Sequence, residues 1–187
     1  MSPKAVVRFP LNEPALIGWG GDRLEMNYHV IKPNERWAYD ILIPPAEVKS
    51  SKLEDYGIYG AKVMAPASGT VVSINNNEQD LVPGSDNFQS MAGNHIYLRL
   101  DETGTFLILA HLKKGSIKVK EGQRVREGEV LAQVGNSGSS SEPHLHIHHQ
   151  RQDPSKVSMF FVEGLPLYFR AENGVMMPER GEYIKGN

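Results

Sequence analysis

The sequence contains no cysteine among its 187 residues, and this absence limits the sites that the protein can build. Without cysteine there is no disulfide framework and no thiolate metal site, so any zinc must be held by His, Asp or Glu. A chain of this length buries enough apolar surface to fold without disulfide support. The lack of cysteine therefore does not indicate a cellular compartment.

Long apolar runs and a strong excess of charge are also missing. No stretch approaches the roughly 20 apolar residues that cross a membrane, and the N-terminus lacks the apolar core of a signal peptide. The formal net charge is −2, from 22 acidic and 20 basic residues, with no basic run. We therefore expect no membrane span and no nucleic-acid partner. The sequence does not indicate an oligomeric state.

Glycine and proline are frequent, with 18 and 12 copies, whereas long helical patterns are scarce. Short apolar segments separated by Gly- and Pro-containing turns are typical of all-β proteins. We predict a single all-β domain over residues 1–187. Residues 1–25 are expected to be an irregular N-terminal extension, and residues 151–187 a C-terminal covering segment in which Phe160, Phe161 and 165–169 close over the sheet.

Between these ends we predict strands joined by turns. Residues 26–30 and 37–43 are expected to form a hairpin around Pro33-Asn34-Glu35. A long exposed loop is predicted over 75–93. The other predicted strands are two within 61–74 around a Pro/Gly corner, then 94–100, 105–112, 130–134 and a final histidine-rich strand.

The histidine-rich strand is the most informative segment, because four of the seven histidines fall between 144 and 149. Read with a period of two, His144, His146 and His148 share one face, while Leu145 and Ile147 point to the other. The two apolar residues would anchor the strand to a core. Alternate imidazoles at fixed places suit a metal or a catalytic site, because neutral imidazole offers a nitrogen lone pair.

A catalytic zinc site needs three protein ligands, so the strand requires partners elsewhere. Asp40 lies among Trp, Tyr, Ile and Leu, and a buried carboxylate needs a partner or a metal. In the predicted hairpin, His29 would lie opposite or diagonal to Asp40, close enough to share one zinc. It is equally open that Asp40 is a satisfied core acid and His29 a half-buried filler. His111 ends an apolar strand, Glu163 is a further candidate acid, and His95 is interpreted as structural.

Several segments occur in an order that resembles the lysostaphin-type (LytM-like) zinc metallopeptidases. They are Ala65-Pro66-Ala67-Ser68-Gly69-Thr70-Val71, Ala110-His111-Leu112, the Gly-turn-Val repeats of 120–130, Gly135-Asn136-Ser137-Gly138 and Pro143-His144-Leu145-His146. The resemblance covers residues 26–150. It implies an antiparallel β-sandwich with a substrate groove, one zinc ion, and hydrolysis of peptide cross-links or stem peptides of peptidoglycan.

The resemblance also implies roles for single residues. His146 and Asp40 would be zinc ligands, and His111 and His144 would be the catalytic histidines. The family's first motif is His-x-x-x-Asp, but Arg36 stands four residues before Asp40, and a guanidinium has no lone pair for zinc. We therefore predict that His29 supplies the missing imidazole. His148 lies beyond the motif, and we expect it to be a surface histidine that contributes little.

Three alternatives remain open. The chain could be a LytM-like binding or regulatory module without catalytic zinc, because Arg36 occupies a ligand position. It could be a histidine phosphocarrier that uses His111 and one clustered histidine. A biotinyl/lipoyl carrier domain is a further alternative, but the sequence has no Met-Lys pair. The family resemblance implies peptidoglycan peptides as the partner and the cell envelope or the exterior as the location.

Overall fold

We describe the protein from a computed structural model, which defines residues 3–186. Met1 and Ser2 of the expected extension, and Asn187 of the expected covering segment, lie outside the described residues. Within the described residues, the helical segments are 3₁₀ turns of three or four residues, at Tyr28–Ile31, Pro33–Glu35, Leu53–Asp55 and Met159–Phe161. The strands are β1 (Ala5–Arg8), β2 (Ala15–Trp19), β3 (Tyr39–Leu42), β4 (Lys62–Met64), β5 (Gly69–Asn75), β6 (Asn94–Leu100), β7 (Phe106–Leu112), β8 (Arg124–Val125), β9 (Val130–Gln133), β10 (Leu145–Gln150), β11 (Gly164–Leu165), β12 (Leu167–Ala171), β13 (Gly174–Met176) and β14 (Tyr183–Ile184).

Three sheets make up the described fold. The largest has the strand order β14-β2-β3-β10-β7-β6-β5-β8, with β11 on the far end of β10. A three-stranded sheet is ordered β1-β12-β13, and β4 pairs with β9. All pairings are antiparallel except that of β1 with β12. The prediction of an all-β fold with antiparallel sheets and few or no helices is confirmed.

One hydrophobic core joins the three sheets. Ile147 and Leu109 of the large sheet, Phe169 of the three-stranded sheet and Val63 of β4 are all fully buried or nearly so and belong to the same cluster. Each comes from the apolar face of an alternating strand, so the sheets pack face to face with these side chains between them. The opposite face of β10 is left to carry polar groups, whereas the opposite face of β7 holds a second, smaller apolar cluster of Phe106, Ile108 and Ala110.

The structure corrects several local predictions. Residues 5–8 and 15–19 form strands, so the first 25 residues are not irregular. The segment around His29 is a 3₁₀ turn rather than the first strand of a hairpin. Phe160 and Phe161 are 84% and 79% exposed and do not cover the sheet. No helix in the described part of the chain has the length and apolarity needed to cross a membrane.

Candidate metal centre and catalytic groove

The centre of the large sheet places a carboxylate beside an imidazole. In the register of β10, His146 pairs with Asp40 of β3 on one side and with Ala110 of β7 on the other. Directly paired residues of an antiparallel sheet project from the same face, with Cβ atoms about 4.5–5.5 Å apart. The His146 Nδ1 atom lies 3.0 Å from Asp40 Oδ1 as a result.

Strand β10 alternates as predicted. Leu145 and Ile147 are fully buried in the core. His144, immediately before β10, and His146 and His148 within it lie together on the opposite face, with the rings of His146 and His148 5.2 Å apart. The core therefore fixes the position and direction of the imidazoles.

A β-bulge brings His111 to the same face. Leu112 pairs with Asn94, whereas Leu109 pairs with Ile96, so two residues of β7 oppose a single residue of β6. His111 takes a left-handed backbone conformation, with φ of 60°, which costs on the order of 1–3 kcal/mol for such a residue. Its ring lies 4.6 Å from that of His144, measured between centroids. Without the bulge, strict alternation would direct His111 into the core.

His29 reaches the same point from the 3₁₀ turn before β3. The side-chain oxygen of Asn27 caps this turn by accepting the His29 backbone N–H. The same oxygen lies 2.8 Å from His29 Nδ1, and since an amide oxygen only accepts, Nδ1 must carry the proton. His29 Nε2, with its lone pair, is then the atom 3.6 Å from Asp40 Oδ2. The predicted proximity of His29 and Asp40 is present, although the predicted hairpin is not.

The other two histidines have their tautomers fixed by backbone carbonyls. His111 Nδ1 lies 2.8 Å from the Ser137 oxygen, and His144 Nδ1 lies 2.8 Å from the Glu142 oxygen. Each Nδ1 must donate, because a carbonyl oxygen only accepts. Both rings therefore keep the Nε2 lone pair for other partners, and the Nε2 atom of His144 lies 3.5 Å from Asp40 Oδ1.

The electrostatics of the cluster favour positive charge at its centre. Burial alone would lower the pKa of His146, but hydrogen bonds with Asp40 and Glu35 outweigh it and raise the pKa to about 9. Burial opposes ionisation of Asp40, yet the charge of His144 and the hydrogen bond from His146 hold its pKa well below the usual range. Burial lowers the pKa of His29 to about 4 and that of His111 to about 3. The metal-free cluster thus combines an ionised Asp40 and a protonated His146 with neutral imidazoles at His29 and His111.

His29, Asp40 and His146 could together hold a metal ion. Their ligand atoms all lie within 4.8 Å of one another. Zinc–nitrogen distances of about 2.0–2.1 Å in a tetrahedral arrangement put neighbouring ligand atoms about 3.3 Å apart. His29 Nε2 lies 3.6 Å from Asp40 Oδ2, and His146 Nδ1 lies 3.0 Å from Asp40 Oδ1. Two imidazoles and a carboxylate are a donor set found in catalytic zinc sites. The residues present fit the ion.

Three residues near this point were missed or misjudged from the sequence. The Tyr28 hydroxyl donates to Asp40 Oδ2 at 3.2 Å. Glu35 Oε2 lies 3.3 Å from His146 Nε2, although we predicted only a turn residue there. His148 is 6% exposed and contacts His146, so the prediction of a surface histidine is wrong. The position of His148 on the same strand face as His146 could have predicted their contact. Nothing in the sequence distinguished Glu35 from other acidic residues in turns.

The other residues discussed from the sequence lie outside the histidine cluster. Arg36 is exposed, with its guanidinium 5.5 Å from the Trp37 ring centroid. Glu163 is an exposed partner of Arg151 rather than a ligand. His95 stacks on Tyr97, with ring centroids 4.1 Å apart, in keeping with a structural role.

A groove of about 380 Å³ opens over the cluster. Asp40, His111 and His144 line its floor together with residues of β2 and of the loop before β10. The remaining lining residues are Gly18, Trp19, Tyr28, Leu42, Glu47, Ser139, Ser141 and Glu142. Aromatic and carboxylate side chains thus surround the site where the imidazoles converge.

The fold and the histidine cluster define a β-sheet protein with a candidate metal centre. Comparison of the sequence with protein-family models identifies the family. The profile of Peptidase family M23 matches residues 54–157, more than half of the chain. The chain belongs to peptidase family M23, which confirms the resemblance to the lysostaphin-type peptidases. The match includes His111, His144 and His146, but it begins after His29 and Asp40.

Solved structures give weaker similarities. A zinc-containing peptidase from Vibrio cholerae is 22% identical, over 76% of this chain and 35% of its own, with a TM-score of 0.49. The catalytic domain of lysostaphin from Staphylococcus simulans is 20% identical, over 80% of this chain and 86% of its own, with a TM-score of 0.48. The chain spans 37% of the length of a Pseudomonas aeruginosa M23 protein that it matches at 23% identity and a TM-score of 0.40. All three TM-scores are below 0.5.

Proposed function

We propose that the protein is a zinc-dependent endopeptidase that hydrolyses peptide cross-links or stem peptides of peptidoglycan. One observation carries the proposal. Two imidazoles and a carboxylate, from His29, Asp40 and His146, converge at a single point, beside two further imidazoles on the floor of the groove. Membership of a peptidase family supports it.

The metal-ligand roles follow from the lone pairs. His29 Nε2, Asp40 and His146 Nδ1 would hold the ion. When bound, zinc polarises a carbonyl and lowers the pKa of a water molecule to about 7. Tyr28, which donates to Asp40 Oδ2, would orient the carboxylate.

His111 and His144 are the proposed acid–base pair. Their Nδ1 protons are held by backbone carbonyls, so each Nε2 atom is free to accept a proton from the attacking water or to protonate the leaving amine. The low pKa of His111, caused by burial and by the charges of His144 and His146, keeps its ring neutral with an unprotonated Nε2. Two bases at one groove allow one to take the proton and the other to return it.

The substrate and the compartment are extensions of the same proposal. Peptidoglycan peptides are the substrate class that the resemblance to lysostaphin-type peptidases implies, and we propose the cell envelope or the exterior as the location because this substrate is found there. An open groove flanked by Trp19 and Tyr28 suits an extended peptide, because aromatic side chains offer large contact surfaces at little entropic cost.

The test is a pair of measurements on purified protein. Elemental analysis after zinc addition and dialysis should give one zinc per chain. Peptidoglycan digests should show new amino termini, which disappear on chelation and return with zinc. A folded protein that binds no zinc, or that binds zinc and releases no peptide from any peptidoglycan type, contradicts the proposal.

A second candidate is a binding module of the same family without catalysis. Arg36 at the usual first-ligand position, outside the residues matched by the family profile, favours this alternative. It predicts peptidoglycan binding without zinc and without cleavage. Sedimentation of the metal-free protein with peptidoglycan, compared with the cleavage assay, separates the two functions.

A further inference from the structure

A series of hydrogen-bonded side chains extends from His146 away from the groove. His146 Nε2 lies 2.9 Å from His148 Nδ1 and 3.3 Å from Glu35 Oε2. His148 Nε2 lies 2.9 Å from Gln150 Oε1, and Gln150 Nε2 donates to the Gln152 backbone oxygen at 2.7 Å. Of these five residues, only His146 belongs to the proposed ligand or catalytic set.

The donor and acceptor capacities of these groups determine where each proton lies in this hydrogen-bonded series. The Gln152 carbonyl can only accept, so it holds the amide NH₂ of Gln150 and leaves Oε1 facing His148. His148 Nε2 must donate to that oxygen, so Nδ1 of a neutral His148 is an acceptor. His146 Nε2 then faces two acceptors, His148 Nδ1 and a Glu35 carboxylate. The Nε2 proton is held between these two acceptors, so Nδ1, the atom beside Asp40, is the nitrogen that offers a lone pair to a metal in place of a proton.

We propose that Glu35, His148 and Gln150 are positioning residues that fix the tautomer and ring orientation of His146 for metal binding. The inference rests on the proposed function, because it assigns His146 as a ligand. A carboxylate on the outer nitrogen of a ligating imidazole also increases its basicity. Burial strengthens the effect, since His146 and His148 are 7% and 6% exposed. Loss of such outer partners typically costs about 10–100-fold in metal affinity or activity.

The first experiment measures zinc affinity by competition with a chromogenic chelator. Glu35→Gln and His148→Phe should each bind one zinc about 10–100-fold more weakly than the wild-type chain. Gln150→Leu, one hydrogen bond further away, should weaken binding in the same direction. Glu163→Gln and His95→Phe remove a carboxylate and a histidine outside the cluster and should leave affinity unchanged. Thermal unfolding of the metal-free variants checks that each one folds.

The second experiment determines the tautomers of His146 and His148 by NMR spectroscopy. Long-range ¹H–¹⁵N correlation spectra of the zinc-loaded protein should show the proton of His146 on Nε2. His148 should be protonated on Nε2 alone, and Gln150→Leu should weaken that preference. A change in the His148 tautomer is a signature that loss of packing alone does not produce.

The outcomes distinguish this inference from the proposed function. If the wild-type chain binds zinc and cleaves peptide but Glu35→Gln and His148→Phe bind zinc equally well, only the positioning role is refuted. If the wild-type chain binds a second zinc that both variants lose, Glu35 and His148 are direct ligands of a second ion, and the positioning role is again refuted. If the folded wild-type chain binds no zinc, the proposed function fails and the positioning role fails with it.

Discussion

Replacement of His29 tests the least conventional feature of the site. His29→Ala removes an imidazole that is 1% exposed and whose Nε2 lies 3.6 Å from Asp40 Oδ2. We expect the variant to fold, because Asn27 still caps the 3₁₀ turn through the backbone N–H of residue 29. The loss should therefore appear in metal binding. The matched control is Arg36→Ala, which changes the residue at the family's usual ligand position.

The expected magnitude follows from the free energy per ligand. Four-ligand structural zinc sites in zinc-finger peptides have apparent binding free energies of about 10–16 kcal/mol, or roughly 2.5–4 kcal/mol for each ligand. Since 1.4 kcal/mol is a factor of ten in affinity, His29→Ala should weaken zinc binding by about 10²–10³-fold. Arg36→Ala should have no measurable effect, because Arg36 is exposed and its guanidinium lies over Trp37.

The assay is competition for zinc with a chelator of known affinity, on metal-free protein at fixed pH. Circular dichroism and thermal unfolding of both variants confirm the fold. His29→Ala with wild-type zinc affinity would refute the assignment of His29 as a ligand. A loss confined to Arg36→Ala would show that the 3₁₀ turn rearranges in solution and that a different residue completes the site.

The remaining predictions concern the groove and the core behind it. Asp40→Ala should lose most of its zinc in elemental analysis, because two imidazoles alone seldom hold the ion. His111→Ala and His144→Ala should retain zinc but lose about 10²–10⁴-fold in peptide-cleavage rate, as expected for acid–base groups; retained rates would exclude them as catalysts. Tyr28→Phe removes the hydroxyl bonded to Asp40 and should weaken zinc binding about 10–100-fold. Ile147→Ala creates a cavity at a fully buried position and should lower the free energy of unfolding in urea by about 2–5 kcal/mol.

Alternation predicted the part of the site that lies on regular strands. His144, His146 and His148 share the face opposite the core because Leu145 and Ile147 are fixed in the core, and a period of two is a property of the strand backbone itself. The pairing of Asp40 with His146 depends instead on which strands become neighbours. Spacing along one chain does not contain that information, and the family resemblance supplied it.

Irregular backbone accounts for what alternation could not predict. His111 lies on the groove face only because β7 has one extra residue at the bulge, and His29 lies on a 3₁₀ turn rather than a strand. Glu35 belongs to the next turn, where its contact with His146 depends on the path of the chain between residues 31 and 39. Such turns take their shape from tertiary contacts, and local propensity does not determine them.

Asn27 explains how a histidine on a turn comes to lie beside Asp40. Its side-chain N–H groups donate to Gly21 and Ala38 backbone oxygens at 2.9 and 3.0 Å, and Ala38 lies two residues before Asp40. Its oxygen holds both the backbone N–H and the Nδ1–H of His29. One fully buried amide thus ties the turn to β3 and selects the tautomer that directs Nε2 at Asp40. A metal constrains the positions of ligand atoms and leaves the route of the backbone free, so an imidazole clamped in this way meets the same requirement as one placed four residues before the aspartate.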